Sequence, residues 1–167
     1  KLSDEIKAGR LDGAIVFYED GSPGDGELLC KLPMRWLAHK NYQQTPSQEF
    51  TDLVLFDYPC LFRAAALSAF DQAQMRWRMA ITTPSLLYVW SALKSKRGIG
   101  VRTGHCIPAD IVCVDDRFGL PKLPSIQLRM LSSQNASSSA QDLCEILRAE
   151  TIRAIDCSKP KSTKRTP

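Results

Sequence analysis

The stretch "DLVLFDYPCLFRAAALSAFDQAQMRWRMAITTPSLLYVWSALKSKRGIGV" (52–101) holds the pattern that decides the fold. Asp52–Phe56 is a short apolar run of strand length, and Asp57-Tyr58-Pro59-Cys60 reads as a turn. A helix is predicted from Leu61 to Met75, because Phe62, Ala66, Ala69, Phe70 and Ala73 recur at helical spacing. Arg76–Thr82 then alternates, with Trp77, Met79 and Ile81 on one face, as a half-buried strand does. Thr83-Pro84-Ser85 opens a second helix, with Pro84 placed in its first turn, and this helix runs to Lys96 before Gly98. Strand, helix, strand, helix in succession predicts an α/β fold with largely parallel sheet.

Working outward, Ser3–Gly9 reads as a helix end, with Gly9 suited to a left-handed cap. Leu11–Tyr18 is an apolar run that predicts a strand covered on both faces. Asp20–Gly26 is loop, and two short strands, Glu27–Lys31 and Met34–His39, are separated by Pro33. Beyond the central stretch, Gly98–Arg102, Ile111–Val114 and Ser125–Leu131 are strand candidates, the last of them alternating. A last helix over 140–155 carries Ala140, Leu143, Cys144, Leu147 and Ala154 on one stripe. In such folds ligands bind at loops leaving the carboxyl ends of strands, here those after Tyr18, Phe56 and Thr82 and around Thr103.

The chain has 167 residues and a net charge of +4. Lys159, Lys161, Lys164 and Arg165 lie in residues 158–167, so the body 1–157 is neutral and offers no net phosphate-binding charge. Residues 158–167 are predicted to be a disordered basic tail. The cysteines Cys30, Cys60, Cys106, Cys113, Cys144 and Cys157 stand singly in apolar segments, which predicts reduced, buried thiols and a cytoplasmic protein. No apolar run approaches the roughly 20 residues that span a membrane.

Enzyme motifs fail one by one. Gly98-Ile99-Gly100 with Gly104 misses the dinucleotide spacing and follows a helix, where pyrophosphate binding needs a strand first. There is no phosphate loop and no nucleophile elbow. His39 reads as structural, Asp115-Asp116 and Glu19-Asp20 as solvated surface acids, and Trp36, Trp77 and Trp90 as core. His105-Cys106 with Cys113 lacks two further ligands for zinc. The residues predict a binding module with no catalytic group, no metal and no cofactor.

Several segments in order resemble the effector-binding domain of LysR-type transcriptional regulators. They are "LSDEIKAGRLDGAIVFYE" (2–19), "LPMRWLAHKN" (32–41), the 52–101 stretch and "FGLPKLPSIQLRML" (118–131), followed by the helix at 140–155. The stretch 52–101 is similar to a subgroup that reads L-P-L-V-L-F, a Pro-containing turn with F-R, W-R-x-A-Y, S-L and G-L-G-V. The resemblance implies a two-lobed, periplasmic-binding-protein-like (type 2) fold. Lobe I would be 1–37 and 122–157, and lobe II 38–121, with crossing strands near 33–39 and 120–126 and Pro33, Pro121 and Pro124 at the hinges. It further implies that lobe I is incomplete, lacking a first strand, helix and strand, so that apolar faces and a strand edge are exposed and the chain is aggregation-prone. Ser95-Lys96-Arg97 departs from the family, which has a small residue before its G-L-G, and leaves the neighbouring cleft wall in doubt.

By the same resemblance a small effector binds in a cleft between the lobes and modulates transcription. DNA is contacted only through a helix-turn-helix outside these residues, in a homodimer or homotetramer away from any membrane. The family's cleft positions fall on Pro59, Cys60, Leu61, Phe62, Arg63, Thr83, Ser85 and Thr103, with Phe17 and Tyr18 from lobe I. Helix starts there present free N–H groups to a polar or anionic effector. Phe62 equally fits core packing, Arg63 a solvated charge, and Thr83 and Ser85 helix capping. Two alternatives share the site: the solute-binding protein of a transporter, and a redox sensor acting through Cys60 near Arg63.

Overall fold

The structure, a computed structural model, describes residues 2–44 and 49–157, the side chains of the last two excepted. The proposed basic tail at 158–167 lies outside these residues. The chain forms two compact units. Of the described residues, the first comprises those up to Tyr18, Ser22–Lys31 and those from Gln127 onward; the second comprises Glu19–Gly21 and those from Leu32 to Ile126.

Unit 1 contains helix α1 (Leu2–Lys7), strand β1 (Gly13–Glu19), the start of β2 (Glu27–His39), the larger part of β7 (Ser125–Ser132) and helix α4 (Ser138–Cys157). Gly9 sits at φ +68 just past α1, the left-handed geometry its position predicts. The loop between β1 and β2 is pinned by its carbonyls: Arg129 Nη1 donates to Gly24 O at 2.6 Å and Gly26 O at 2.9 Å. Asp25 in the same loop accepts from Ser3 Oγ at 2.9 Å and pairs with Lys7 at 2.8 Å. Three expectations fail in this unit. No residue of β1 is buried, so it is not covered on both faces. β7 is buried at five of its eight positions and does not alternate. The stripe of α4 stays open, with Leu143, Leu147 and Ala154 exposed.

Unit 2 is built on the stretch read first. Strand β3 (Thr51–Phe56), helix α2 (Leu61–Gln72) and strand β4 (Trp77–Thr83) form a βαβ unit with β3 and β4 parallel. Helix α3 (Leu86–Lys94) follows, then β5 (Gly100–Thr103) and the short β6 (Ile111–Cys113). Helix α2 buries Phe62, Ala66, Ala69 and Phe70, four of its five stripe residues, while Ala73 caps its end. The second helix is shorter than predicted: Ser85 is its N-cap and Pro84 lies before it instead of in its first turn.

The sheet is less parallel than the alternation of elements suggests. β2 runs antiparallel to both β5 and β6, with Trp36 opposite Val101 and Ala38 opposite Val112. The reason is that β2 reaches these strands from far along the chain, without the crossover that makes neighbours parallel. Nor does Pro33 divide β2, which is one strand of 13 residues. Its side chain is exposed, and it lies one residue before the β2–β5 register, which begins at Met34 opposite Thr103, so no partner in β5 stands opposite its missing N–H.

The core of unit 2 gathers Leu37, Val54, Val89, Ala92, Leu93 and Ile111, with Phe56, Ile81, Trp90 and Ile107 packed against them. Trp36 is 1% exposed and meets Phe70 edge-on at 5.2 Å. The core reading of Trp36 is therefore correct, and Trp90 joins the cluster as well. Asp115 is not the solvated acid expected, because its Oδ1 accepts the backbone N–H of Trp36 at 3.0 Å. His39 is structural, its Nδ1 accepting the Asn41 N–H at 3.0 Å.

Candidate functional site

The turn between β3 and α2 and the turn between β4 and α3 leave the carboxyl ends of adjacent parallel strands, so the ladder itself brings them side by side. The Asp57 N–H donates to Thr83 O at 3.1 Å, extending the pairing one residue past β3. Side chains then tie the turns together. Arg63 Nη1 donates to Phe56 O at 3.1 Å and to Thr82 Oγ1 at 3.0 Å, and Thr82 Oγ1 donates to Asp57 Oδ1 at 2.6 Å. Arg63 is thus no free surface charge: it braces both turns from the first turn of α2.

The other expected residues take distinct places. Cys60 is the N-cap of α2 and makes no side-chain capping bond, which leaves the first-turn N–H groups without a side-chain acceptor from their own cap. Pro59 is exposed, and the Tyr58–Pro59 bond is cis. Phe62 is buried, at 5% exposure, as the core-packing reading holds. Thr83 is also buried, and its Oγ1 accepts the Ser85 N–H at 3.3 Å, so Thr83 bonds the backbone there while Ser85, the N-cap itself, makes no such bond. Thr103 ends β5 opposite Met34. In unit 1, Phe17 and Tyr18 lie near the end of β1, the first exposed and the second half-buried.

Two concavities of unit 2 border these turns. One, of about 310 Å³, lies against α2 and is lined by Leu61, Ala65, Met34 and Pro124, with Glu19 and Asp20 also lining it. The other, of about 440 Å³, is lined by Thr83, Ile81, Tyr88 and Arg97. Leu61 and Thr83 therefore line different concavities, and the Arg63–Thr82–Asp57 bonds lie in the turns that lead to each.

Residues that the sequence reading passed over complete the site. Asp57 and Thr82 carry the bonds just described. Arg102 on β5 lies over the Phe56 ring at 4.9 Å and the Phe62 ring at 4.5 Å. Desolvation pushes its guanidinium below the ordinary arginine value, and the Cys60 sulfur acts in the opposite direction. A cation inside an otherwise apolar strand sequence was the available signal.

The sequence pattern of the LysR substrate binding domain matches residues 1–151. The chain belongs to that family. Its fold is accordingly the α/β, periplasmic-binding-protein-like (type 2) fold expected from the sequence. The LysR-family chain is 29% identical over 124 residues to the HTH-type transcriptional regulator PecT of Dickeya dadantii (strain 3937), covering 74% of this chain and 39% of PecT. It is 23% identical over 155 residues to the HTH-type transcriptional regulator DgdR of Burkholderia cepacia, covering 93% of this chain and 51% of DgdR. The chain thus spans about half or less of these relatives, and both are regulators rather than enzymes. Among solved structures, it is similar in fold to the regulatory domain of CcmR from Synechocystis PCC6803 in complex with 2-PG. That match has a TM-score of 0.60 and 14% identity, covering 90% of this chain and 78% of that one.

Two expectations about cysteine are separated by the structure. The described cysteines are all free, as predicted, but none is fully buried: Cys106 and Cys113 are exposed, and Cys30, Cys60 and Cys144 are half-buried. Cys60 and Cys113 lie at element ends, Cys106 in a loop and Cys144 on the open α4, where an apolar sequence neighbourhood does not guarantee cover. Among the described residues no helix is long and apolar enough to cross a membrane, and no cluster of three metal-ligating residues forms.

Proposed function

We propose that this chain is the ligand-sensing domain of a cytoplasmic, DNA-binding transcriptional regulator of the LysR type. In this reading units 1 and 2 correspond to the family's lobes I and II, and β2 and β7 are the strands that pass from one to the other. A small effector is held at the turns that follow β3 and β4, by Pro59, Cys60, Leu61, Phe62 and Arg63 and by Thr83 and Ser85, with Thr103, Phe17 and Tyr18 contributing. Effector binding then modulates transcription in a homodimer or homotetramer whose helix-turn-helix contacts DNA. The domain itself performs no catalysis and holds no cofactor or metal.

The observation that carries the reading is the bracing of two strand-end turns by one side chain. Arg63 links Phe56 O to Thr82 Oγ1, so a ligand that bonds either turn is sensed by both helices that begin there. CcmR, a fold relative, is known in complex with 2-PG, which supports small-molecule binding as the use of this fold.

The test is a thermal-shift screen of the chain against small organic acids, amino acids, sugars and their phosphates. At least one compound is expected to raise the melting temperature saturably, as selective binding to the native state requires. Arg63→Ala and Thr83→Ala should weaken that response about tenfold, the loss of one hydrogen bond to a polar ligand. A compound that stabilises both variants as well as the parent chain, or that is chemically converted, would overturn the proposal.

A further inference from the structure

Arg102 is the one described arginine that the structure sets between two aromatic rings, and it is in a costly position. Its guanidinium lies 4.9 Å from the Phe56 centroid and 4.5 Å from that of Phe62. Cation–π attraction offsets part of the lost hydration, but it leaves the in-plane N–H donors unused. Among the described residues no carboxylate pairs with Arg102 and no group accepts a hydrogen bond from it. The arginines around it are satisfied differently: Arg63 donates to Phe56 O and Thr82 Oγ1, Arg78 pairs with Asp52 at 2.7 Å, and Arg35 reaches Asp115 at 3.4 Å.

The ladder makes the imbalance worse. Arg102 stands directly opposite Arg35 in the β2–β5 register, and like charges at such positions destabilise a sheet. Only Arg35 has an acid to answer it. The Arg102 nitrogens are nevertheless not sealed off, since none is among the unpartnered atoms closed to solvent. Rings that fix the plane of the guanidinium while its edge stays reachable form a preorganised fork, the geometry that recognises an oxyanion.

We propose that Arg102, clamped between Phe56 and Phe62, is the anchor for an anionic group of the effector, a carboxylate or a phosphate. This rests on the sensor reading above and narrows its ligand to small oxyanions. The aromatic pair sets the angle of the fork, and the two rings flank the turn after β3, Phe56 ending that strand and Phe62 lying in the first turn of α2, so the anchor and the braced turns form one site.

The experiment follows the Arg102 Nε–H resonance in 15N-labelled full chain, titrated with benzoate, inorganic phosphate and, as the neutral counterpart, benzamide. Benzoate or phosphate should move it saturably and benzamide should not; benzoate alone assigns a carboxylate effector, and phosphate alone a phosphorylated one. Arg102→Lys, which keeps the charge but loses the fork, should weaken the anion about tenfold, while Arg78→Lys leaves it unchanged. The parent-chain titration needs no variant to fold. A resonance that stays still with both anions, or moves equally with benzamide, overturns the proposal. If a compound from the thermal screen still depends on Arg63 and Thr83 in that case, the anchor falls and the sensor reading stands; if no compound stabilises the chain, both fall.

Discussion

Asp115 holds Trp36 at its backbone: Oδ1 accepts the Trp36 N–H at 3.0 Å, while the neighbouring Val114 N–H donates to Trp36 O at 2.9 Å. The carboxylate continues the β2–β6 pairing where the strand itself has ended at Cys113. Asp115→Ala removes the acceptor and leaves the N–H of a buried residue without its partner, at a cost of ~1–3 kcal/mol. Asp115→Asn keeps a carbonyl oxygen at the same place and should recover much of that loss. Urea denaturation of the three proteins checks this, and equal midpoints for parent and alanine variant would refute it.

Gly98 gives a second, sharper case. It has φ +156, and a Cβ there would meet Asp52 O at 2.5 Å. The backbone must come this close because the Ile99 N–H donates to Asp52 O at 2.8 Å and the Val54 N–H to Ile99 O at 2.9 Å, joining the chain after α3 to β3. Gly98→Ala therefore meets a backbone wall as well as a strained φ and should destabilise by more than ~1 kcal/mol. The neighbouring Lys96→Ala should cost less, since its φ of 55 is strained for a non-glycine residue in both forms. Thermal melts of the two variants compare them directly.

Much of the fold was legible where periodicity meets local chemistry. The helix at Leu61–Gln72 and the strand at Trp77–Thr83 follow from spacing alone. What sequence could not show depends on distant partners. β2 continues through Pro33, which stands just before the pairing with β5 begins, and it pairs antiparallel with β5 because of where the chain returns. The site was half visible. Arg63 and Thr83 stood at helix starts, where function is sought, whereas Arg102 and Thr82 sit in strands and matter only through contacts from other segments. Asp115 was misread for the same reason: an acid beside another acid looks solvated until its acceptor role across 79 residues is seen.

Two leucines on helices separate packing from periodicity. Leu93 on α3 is 0% exposed within the unit 2 core, and Leu143 on the apolar stripe of α4 is 55% exposed. Leu93→Ala should cost ~2–5 kcal/mol by lost burial and a cavity. Leu143→Ala should stay within ~0.5 kcal/mol, because among the described residues nothing packs over most of it and alanine favours helix. Chemical denaturation reads both; a comparable loss at Leu143 would mean that its face is covered in solution.

Cys113 carries the clearest pH dependence. Burial pushes its thiol above the ordinary value of 9.0, the Asp115 carboxylate pushes the same way, and the Arg35 guanidinium opposes them. The thiol is neutral when protonated, so a raised folded pKa means that the unfolded chain ionises first. Its contribution to stability is complete below the ordinary thiol value and is lost as pH rises from there through the folded one. The same shift predicts reactivity. At pH 8 Cys113 should react with iodoacetamide more slowly than N-acetylcysteine despite its exposed position, and the gap should narrow as pH passes 9.0. Arg35→Gln removes the opposing cation and should slow the reaction further. Mass-spectrometric labelling rates resolved by peptide measure this, and a Cys113 rate at or above that of the free thiol at pH 8 would show that neither burial nor Asp115 governs it.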